Sequence, residues 1–119
     1  MIRLGLVGAG GWGQRYIQAI QRRPDCTLVA IARKSQRPSS EDSRILQTTH
    51  FEDLLSLADE DRLDGLIVAT TPDNQATVAL AALEHQVPAL IEKPLGLTSE
   101  VPSRLLEVQR LRPAILLIN

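Results

Sequence analysis

Four short stretches of this 119-residue chain carry residue types at spacings that can do chemistry. Gly8, Gly10 and Gly13 form the pattern Gly8-x-Gly10-x-x-Gly13. Arg33, Lys34 and Ser35 bring two cations and a hydroxyl together. Thr70, Thr71 and Pro72 follow an apolar run; the hydroxyls can bond a ribose or a phosphate, or simply start a helix. Glu92 and Lys93 stand side by side after Leu90 and Ile91. A lysine there can donate a proton or stabilise charge, and a glutamate can accept bonds from sugar hydroxyls. The same pair also suits a solvated strand end.

The glycines are the most informative of these groups. Ile2 to Val7 reads as a buried strand, and Tyr16, Ile17 and Ile20 share one face of a following helix. Strand, glycine turn and helix together hold a dinucleotide pyrophosphate. Gly8 permits the tight turn, Gly10 lets the backbone approach the phosphates, and Gly13 lets the helix pack close to the strand. The N–H groups around Gly11 and Trp12 then face the anion, helped by the helix dipole. A turn that binds no nucleotide is the plainer alternative.

Arg33 lies 20 residues beyond Gly13. An NAD-binding domain usually places Asp or Glu there, to bond the ribose 2′-hydroxyl. A carboxylate would repel a 2′-phosphate, whereas an arginine meets it with a two-pronged fork. Arg33, Lys34 and Ser35 therefore favour NADP, with NAD as the alternative. An exposed basic loop would look the same in sequence.

The elements that must position these groups alternate in type. Strands are expected at Ile2 to Val7, Thr27 to Ala32, Ile45 to Thr48, Leu66 to Thr70, Ala89 to Glu92 and Ala114 to Ile118. Helices are expected from Trp12 to Arg22, across Phe51, Leu54, Leu55 and Ala58, and across Ala76, Ala79, Leu80 and Leu83. A last helix, capped by Thr98, carries Val101, Leu105 and Val108 and ends at Pro113. Residues 34–44 are polar and contain Pro38, which suggests a loop. Pro72 and Asp73 suggest a turn. The second apolar run is nearly continuous, as in a parallel sheet covered on both faces. The pattern predicts an α/β fold, a doubly wound parallel sheet of Rossmann type with right-handed crossovers.

Composition narrows the function. The chain is long enough for one domain and too short for two. It is 44% hydrophobic and 23% charged with a net charge of −1, which gives no reason to expect nucleic acid or an anionic membrane as a partner. Aromatic residues make up 3%, too few for base-stacking platforms. One cysteine, Cys26, excludes an internal disulfide framework, and His50 and His85 stand alone, without metal-ligand spacing. No apolar run approaches a membrane span. A soluble cytoplasmic domain is the expectation.

Gly8 to Gly13, Ala69-Thr70-Thr71-Pro72-Asp73 and Glu92-Lys93-Pro94-Leu95-Gly96-Leu97-Thr98 stand in the order and spacing of the Gfo/Idh/MocA family, the glucose–fructose oxidoreductase and inositol dehydrogenase group. The chain resembles the N-terminal domain of that family over essentially its whole length. The resemblance implies a Rossmann domain binding NAD or NADP. It implies that Lys93 lies beside the nicotinamide and assists catalysis, and that Glu92 touches the nicotinamide ribose. Three positions depart from the usual pattern: Ala76 stands where a His is common, Gln86 stands near a common Gly, and residues 34–44 look short and polar.

Members of the family continue into a second domain that holds most of the substrate pocket. A stop at Asn119 coincides with that domain edge, so the chain is expected to be one piece of a longer protein. The expected activity is transfer of a hydride between the nicotinamide and a carbinol carbon of a sugar, polyol or similar small molecule. The piece alone should bind cofactor and be inactive. A non-catalytic nucleotide sensor on the same fold is the alternative. A homo-oligomer is possible, through the missing domain or through an exposed edge at the last strand.

Overall fold

The structure, a computed structural model, describes residues 1–34, 44–93, 100–111 and 116–118. In chain order the elements are β1 (Ile2–Val7), α1 (Gly11–Gln21), β2 (Cys26–Ala32), β3 (Leu46–Thr48), α2 (Glu52–Asp59), β4 (Gly65–Val68), α3 (Pro72–Glu84), β5 (Ala89–Ile91), α4 (Glu100–Leu111) and β6 (Leu116–Ile118). The sheet order is β3-β2-β1-β4-β5-β6, and every neighbouring pair is parallel. From β1 the chain winds outward through β2 to β3, then returns to place β4 on the other side of β1. The order reverses between β1 and β4, and ligands of open α/β sheets bind at such a switch point.

Alternation along the central strands divides the core into two layers. Leu6, Ile31 and Ile67 point to one face, where they pack with Ile17 and Ile20 of α1. Val7, Ala30, Ala32, Leu66 and Val68 point to the other, against Leu54 and Leu55 of α2 and Val78, Ala79, Ala82 and Leu83 of α3. β4 is buried at all four positions. That explains its unbroken apolar run: both faces of a central parallel strand are covered. The helix α4 lies beside α3.

Helices α2 and α3 end alike. Arg62 N–H donates to Leu57 O at 2.8 Å and Asp61 N–H to Ala58 O at 3.0 Å; Val87 N–H donates to Ala82 O at 2.8 Å and Gln86 N–H to Leu83 O at 3.0 Å. This paired bonding is the Schellman stop, which needs a left-handed residue just past the helix. Asp61 (φ 58°) and Gln86 (φ 57°) fill that position without being glycine. Both are positions where the backbone itself favours glycine.

A clamp at the opposite end of the sheet from the glycine turn joins β1 to the loop before β4. Arg3 Nε and Nη2 donate to the two oxygens of Asp64 at 3.0 and 2.9 Å. The Arg3 guanidinium draws the Asp64 carboxyl down to about 2.

Several expectations are adjusted. Pro72 and Asp73 are not a separate turn but the first turn of α3, where a proline's missing N–H costs nothing. β4 stops at Val68, before Thr70, and β5 stops at Ile91, before Glu92. The buried stripe of α3 includes Gln75, Val78 and Ala82, while Ala76 and Leu80 lie at its margin. Among the described residues His85 belongs to no metal-ligand cluster, and its Nδ1 lies 3.1 Å from Asp59 Oδ2, a pair that spacing does not show. Ser35, residues 36–43, Pro94, Thr98 and residues 112–115 lie outside the described residues.

Candidate nucleotide site

The carboxyl ends of β1, β2 and β4 meet around a cleft of about 480 Å³. Backbone hydrogen bonds join the segments around it. Gly8 N–H donates to Ala32 O at 2.8 Å, Ala69 N–H to Val7 O at 2.8 Å, and Arg33 N–H to Thr48 O at 3.0 Å. The strand pairing is therefore carried past the strand ends into the loops that line the cleft, which holds those loops in place.

Gly8 has φ +94°, and a Cβ there would lie 2.3 Å from the carbonyl oxygen of Ala69. Both the conformation and the close approach require glycine. A Cβ on Gly13 would lie 2.2 Å from Gly8 O, so the first turn of α1 rests against the turn itself. Gly10 and Gly11 differ: a Cβ on either meets nothing within 4 Å. They leave open space beside the start of α1.

That helix start suits an anion. The first N–H groups of an α-helix lack intrahelical partners. Here Gly10 is the N-cap and offers no side-chain bond, and the first turn contains no acidic residue. Partial positive charge from the helix dipole is left facing outward. Trp12 is exposed, and the Arg15 guanidinium stacks 4.5 Å from the centre of its ring. This cation–π pair adds a second positive group near the same end.

Gly8, Gly10, Arg33, Lys34 and Thr70 all line the cleft. Arg33 is half-buried at the end of β2 and Lys34 is exposed. Thr71 is the N-cap of α3, exposed, and makes no capping bond with its hydroxyl; Pro72 follows it. Gly11, Trp12 and Gly13 sit at the α1 start, outside the cleft wall. Glu92 and Lys93 lie further along the sheet, one strand beyond β4. Glu92 N–H donates to Val68 O at 2.9 Å, and its side chain is buried. Lys93 is exposed.

Four lining residues escaped the sequence reading: Thr49, Phe51, Asn74 and Val78. Phe51 has helical spacing with Leu54 and Leu55, which suggested a core position. It does pack against the core, but it is the N-cap of α2, half-buried, and it also lines the cleft. Asn74 lies in the first turn of α3, and nothing in its spacing pointed to the cleft. The partner of Glu92 was also missed. The Tyr16 hydroxyl on α1 donates to Glu92 Oε1 across 76 residues of sequence.

Among the described residues, no group of three His, Cys, Asp or Glu side chains could hold a metal ion, and no helix is long and apolar enough to cross a membrane.

Residues 2–119 match the family model described as "Oxidoreductase family, NAD-binding Rossmann fold", GFO_IDH_MocA. The chain belongs to the Gfo/Idh/MocA oxidoreductase family. Inositol 2-dehydrogenase of Rubrobacter xylanophilus is 28% identical over 109 residues, which is 91% of this chain and 31% of that protein. This Gfo/Idh/MocA chain thus spans about a third of the length of the curated relatives it matches. Solved structures share the fold. A variant of KijD10, a 3-ketoreductase from Actinomadura kijaniata in complex with TDP-benzene and NADP, superposes with a TM-score of 0.83 at 24% identity, covering 99% of this chain and 38% of that one. GenD2 from gentamicin A biosynthesis, in complex with NAD, gives 0.86 at 21% identity, covering 99% and 34%.

Proposed function

We propose that this chain is the nicotinamide-dinucleotide domain of a dehydrogenase acting on a carbinol of a sugar, polyol or similar small molecule. The observation that carries the reading is the glycine turn. Gly8 and Gly13 are locked by backbone contact, while Gly10 and Gly11 leave space beside the open N–H groups of α1. A pyrophosphate fits that combination of room and positive potential.

The remaining residues take their roles from their place along the sheet. The cleft between β2 and β4 receives the adenosine half, with Phe51 and Val78 offering apolar surface. Arg33 and Lys34 take the 2′ position and favour NADP over NAD, and Ser35, next in sequence, is assigned to the same group. Gly8, Gly10, Gly11, Trp12 and Gly13 hold the pyrophosphate. Thr70, Thr71 and Pro72 flank it at the end of β4. Glu92 accepts hydroxyls of the second ribose, and Lys93 is the catalytic ammonium that moves a proton or polarises the substrate oxygen. The nicotinamide, when bound, supplies the hydride acceptor or donor. The names of the inositol 2-dehydrogenase relatives support a polyol carbinol as the substrate class. The chain covers about a third of those relatives, and in this reading it binds coenzyme by itself without turnover. A buried free cysteine and an absence of disulfide pairing suit a cytoplasmic setting.

Titration of the chain with NADPH and NADH tests the reading. Saturable binding of either supports it, and a tighter NADPH complex supports the 2′-phosphate assignment. Absence of binding by both coenzymes overturns it.

A further inference from the structure

The Tyr16–Glu92 contact joins two parts of the site that nothing else in the sequence links. Tyr16 lies one helical turn after Trp12 and Gly13, on the same helix whose start faces the proposed pyrophosphate. It is half-buried and packs against the core layer that holds Leu6, Ile17 and Ile67. Its hydroxyl donates to Oε1 of Glu92, a carboxylate that is only 7% exposed. Burial of a carboxylate is costly unless donors meet it, so a phenol held rigidly by the core decides which way the carboxylate points. Two carboxylate oxygens offer about four acceptor positions, so a bond to Tyr16 leaves capacity for sugar hydroxyls.

We infer that Tyr16 is a positioning residue that orients Glu92 toward the second ribose of the coenzyme. The inference rests on the proposed dinucleotide reading and deepens it. One rigid helix then sets both the phosphate position, through its first turn, and the ribose acceptor, through its second. The distance between the two along the coenzyme is built into α1 rather than left to a loop.

The test compares two probes that differ by that ribose alone: ADP and ADP-ribose, or their 2′-phosphorylated forms where the parent prefers them. Calorimetry on the full chain gives the ratio of their affinities. The parent is expected to prefer ADP-ribose, and Glu92→Gln to weaken that preference. Tyr16→Phe removes one oxygen atom. It is expected to lower ADP-ribose affinity about tenfold, the scale of one hydrogen bond to a charged group, and to leave ADP affinity within about twofold. Tyr16→His keeps a ring donor and is expected to retain more of the preference than Phe. It also serves as the second variant should the first fold poorly, and a loss of ADP and ADP-ribose binding in equal measure would count against the inference. An undiminished preference in Tyr16→Phe, with Glu92→Gln impaired, overturns the role of Tyr16 and leaves the dinucleotide reading standing. Failure of the parent to bind either probe overturns both.

Discussion

The Cβ that Gly13 lacks would sit 2.2 Å from the carbonyl oxygen of Gly8. No rotamer change relieves that clash, because the obstructing atom is backbone. The same substitution elsewhere in the motif meets nothing: a Cβ on Gly10 has open space for 4 Å.

These glycines therefore separate folding from binding. Gly13→Ala forces α1 away from the turn and is expected to destabilise the chain by about 2 kcal/mol or more, in the range of other overpacked sites. Gly10→Ala keeps an allowed backbone, since Gly10 has φ −74°, and should change stability by less than about 1 kcal/mol. Yet its methyl group enters the space assigned to phosphate, and coenzyme affinity should fall at least about tenfold. Chemical denaturation and coenzyme titration of both variants check the split. A Gly10→Ala protein with full affinity contradicts the assignment.

In the proposed reading, Arg33 sets the coenzyme preference. Arg33→Asp exchanges the phosphate fork for a carboxylate that repels a 2′-phosphate and accepts a 2′-hydroxyl. NADPH affinity is expected to fall about a hundredfold or more and NADH affinity to rise, as a charge reversal at a paired site commands several kcal/mol. Equal affinities of the parent for both coenzymes would remove Arg33 from this role.

Trp12 is the only tryptophan in the chain and is 57% exposed at the start of α1. Its fluorescence should fall on NADPH binding, by quenching and by energy transfer to the reduced nicotinamide. The signal should saturate with the calorimetric affinity. Unchanged emission at saturation would place the coenzyme elsewhere.

The Arg3–Asp64 clamp makes stability depend on acid. Asp64 has a folded value of about 2, below the usual carboxylate value of about 3.9. A lowered folded value means the contribution is present in full above the unfolded value. It fades as pH falls through the folded one. Asp64→Asn should therefore unfold more easily than the parent at pH 7, and the two should converge as pH approaches about 2. A difference between them that is unchanged across this range would show that the clamp does not titrate.

Gln86 holds a left-handed conformation that glycine adopts freely. Gln86→Gly is expected to stabilise the chain by about 1 kcal/mol, read as a higher denaturation midpoint at an unchanged slope. Asp61 shares the geometry, but Asp tolerates it better, so Asp61→Gly should gain less.

The fold was legible because a central parallel strand must be apolar on both faces, and the runs ending at Ala32 and Val68 say so directly. The glycine turn was legible because backbone proximity leaves a mark in sequence, the absence of a side chain. What stayed hidden needed three dimensions. Proline at 72 suits a turn and a helix start equally well. Phe51 has the spacing of a core residue and lies one position before the helix. Tyr16 and Glu92, and His85 and Asp59, meet only after the sheet has brought separate helices and strands together, and neither pair has any signature in spacing.

At the middle of the proposed crevice the contacts come from main-chain atoms, with side chains engaged mainly toward its two flanks. Away from the glycines, a substitution leaves main-chain groups in place, whereas it removes a side-chain contact outright. In the proposed reading, such a layout would let coenzyme choice change at the Arg33 flank, or ribose binding at the Glu92 flank, each without disturbing its counterpart. The main-chain centre acts as a socket, and the side-chain flanks act as its adapters.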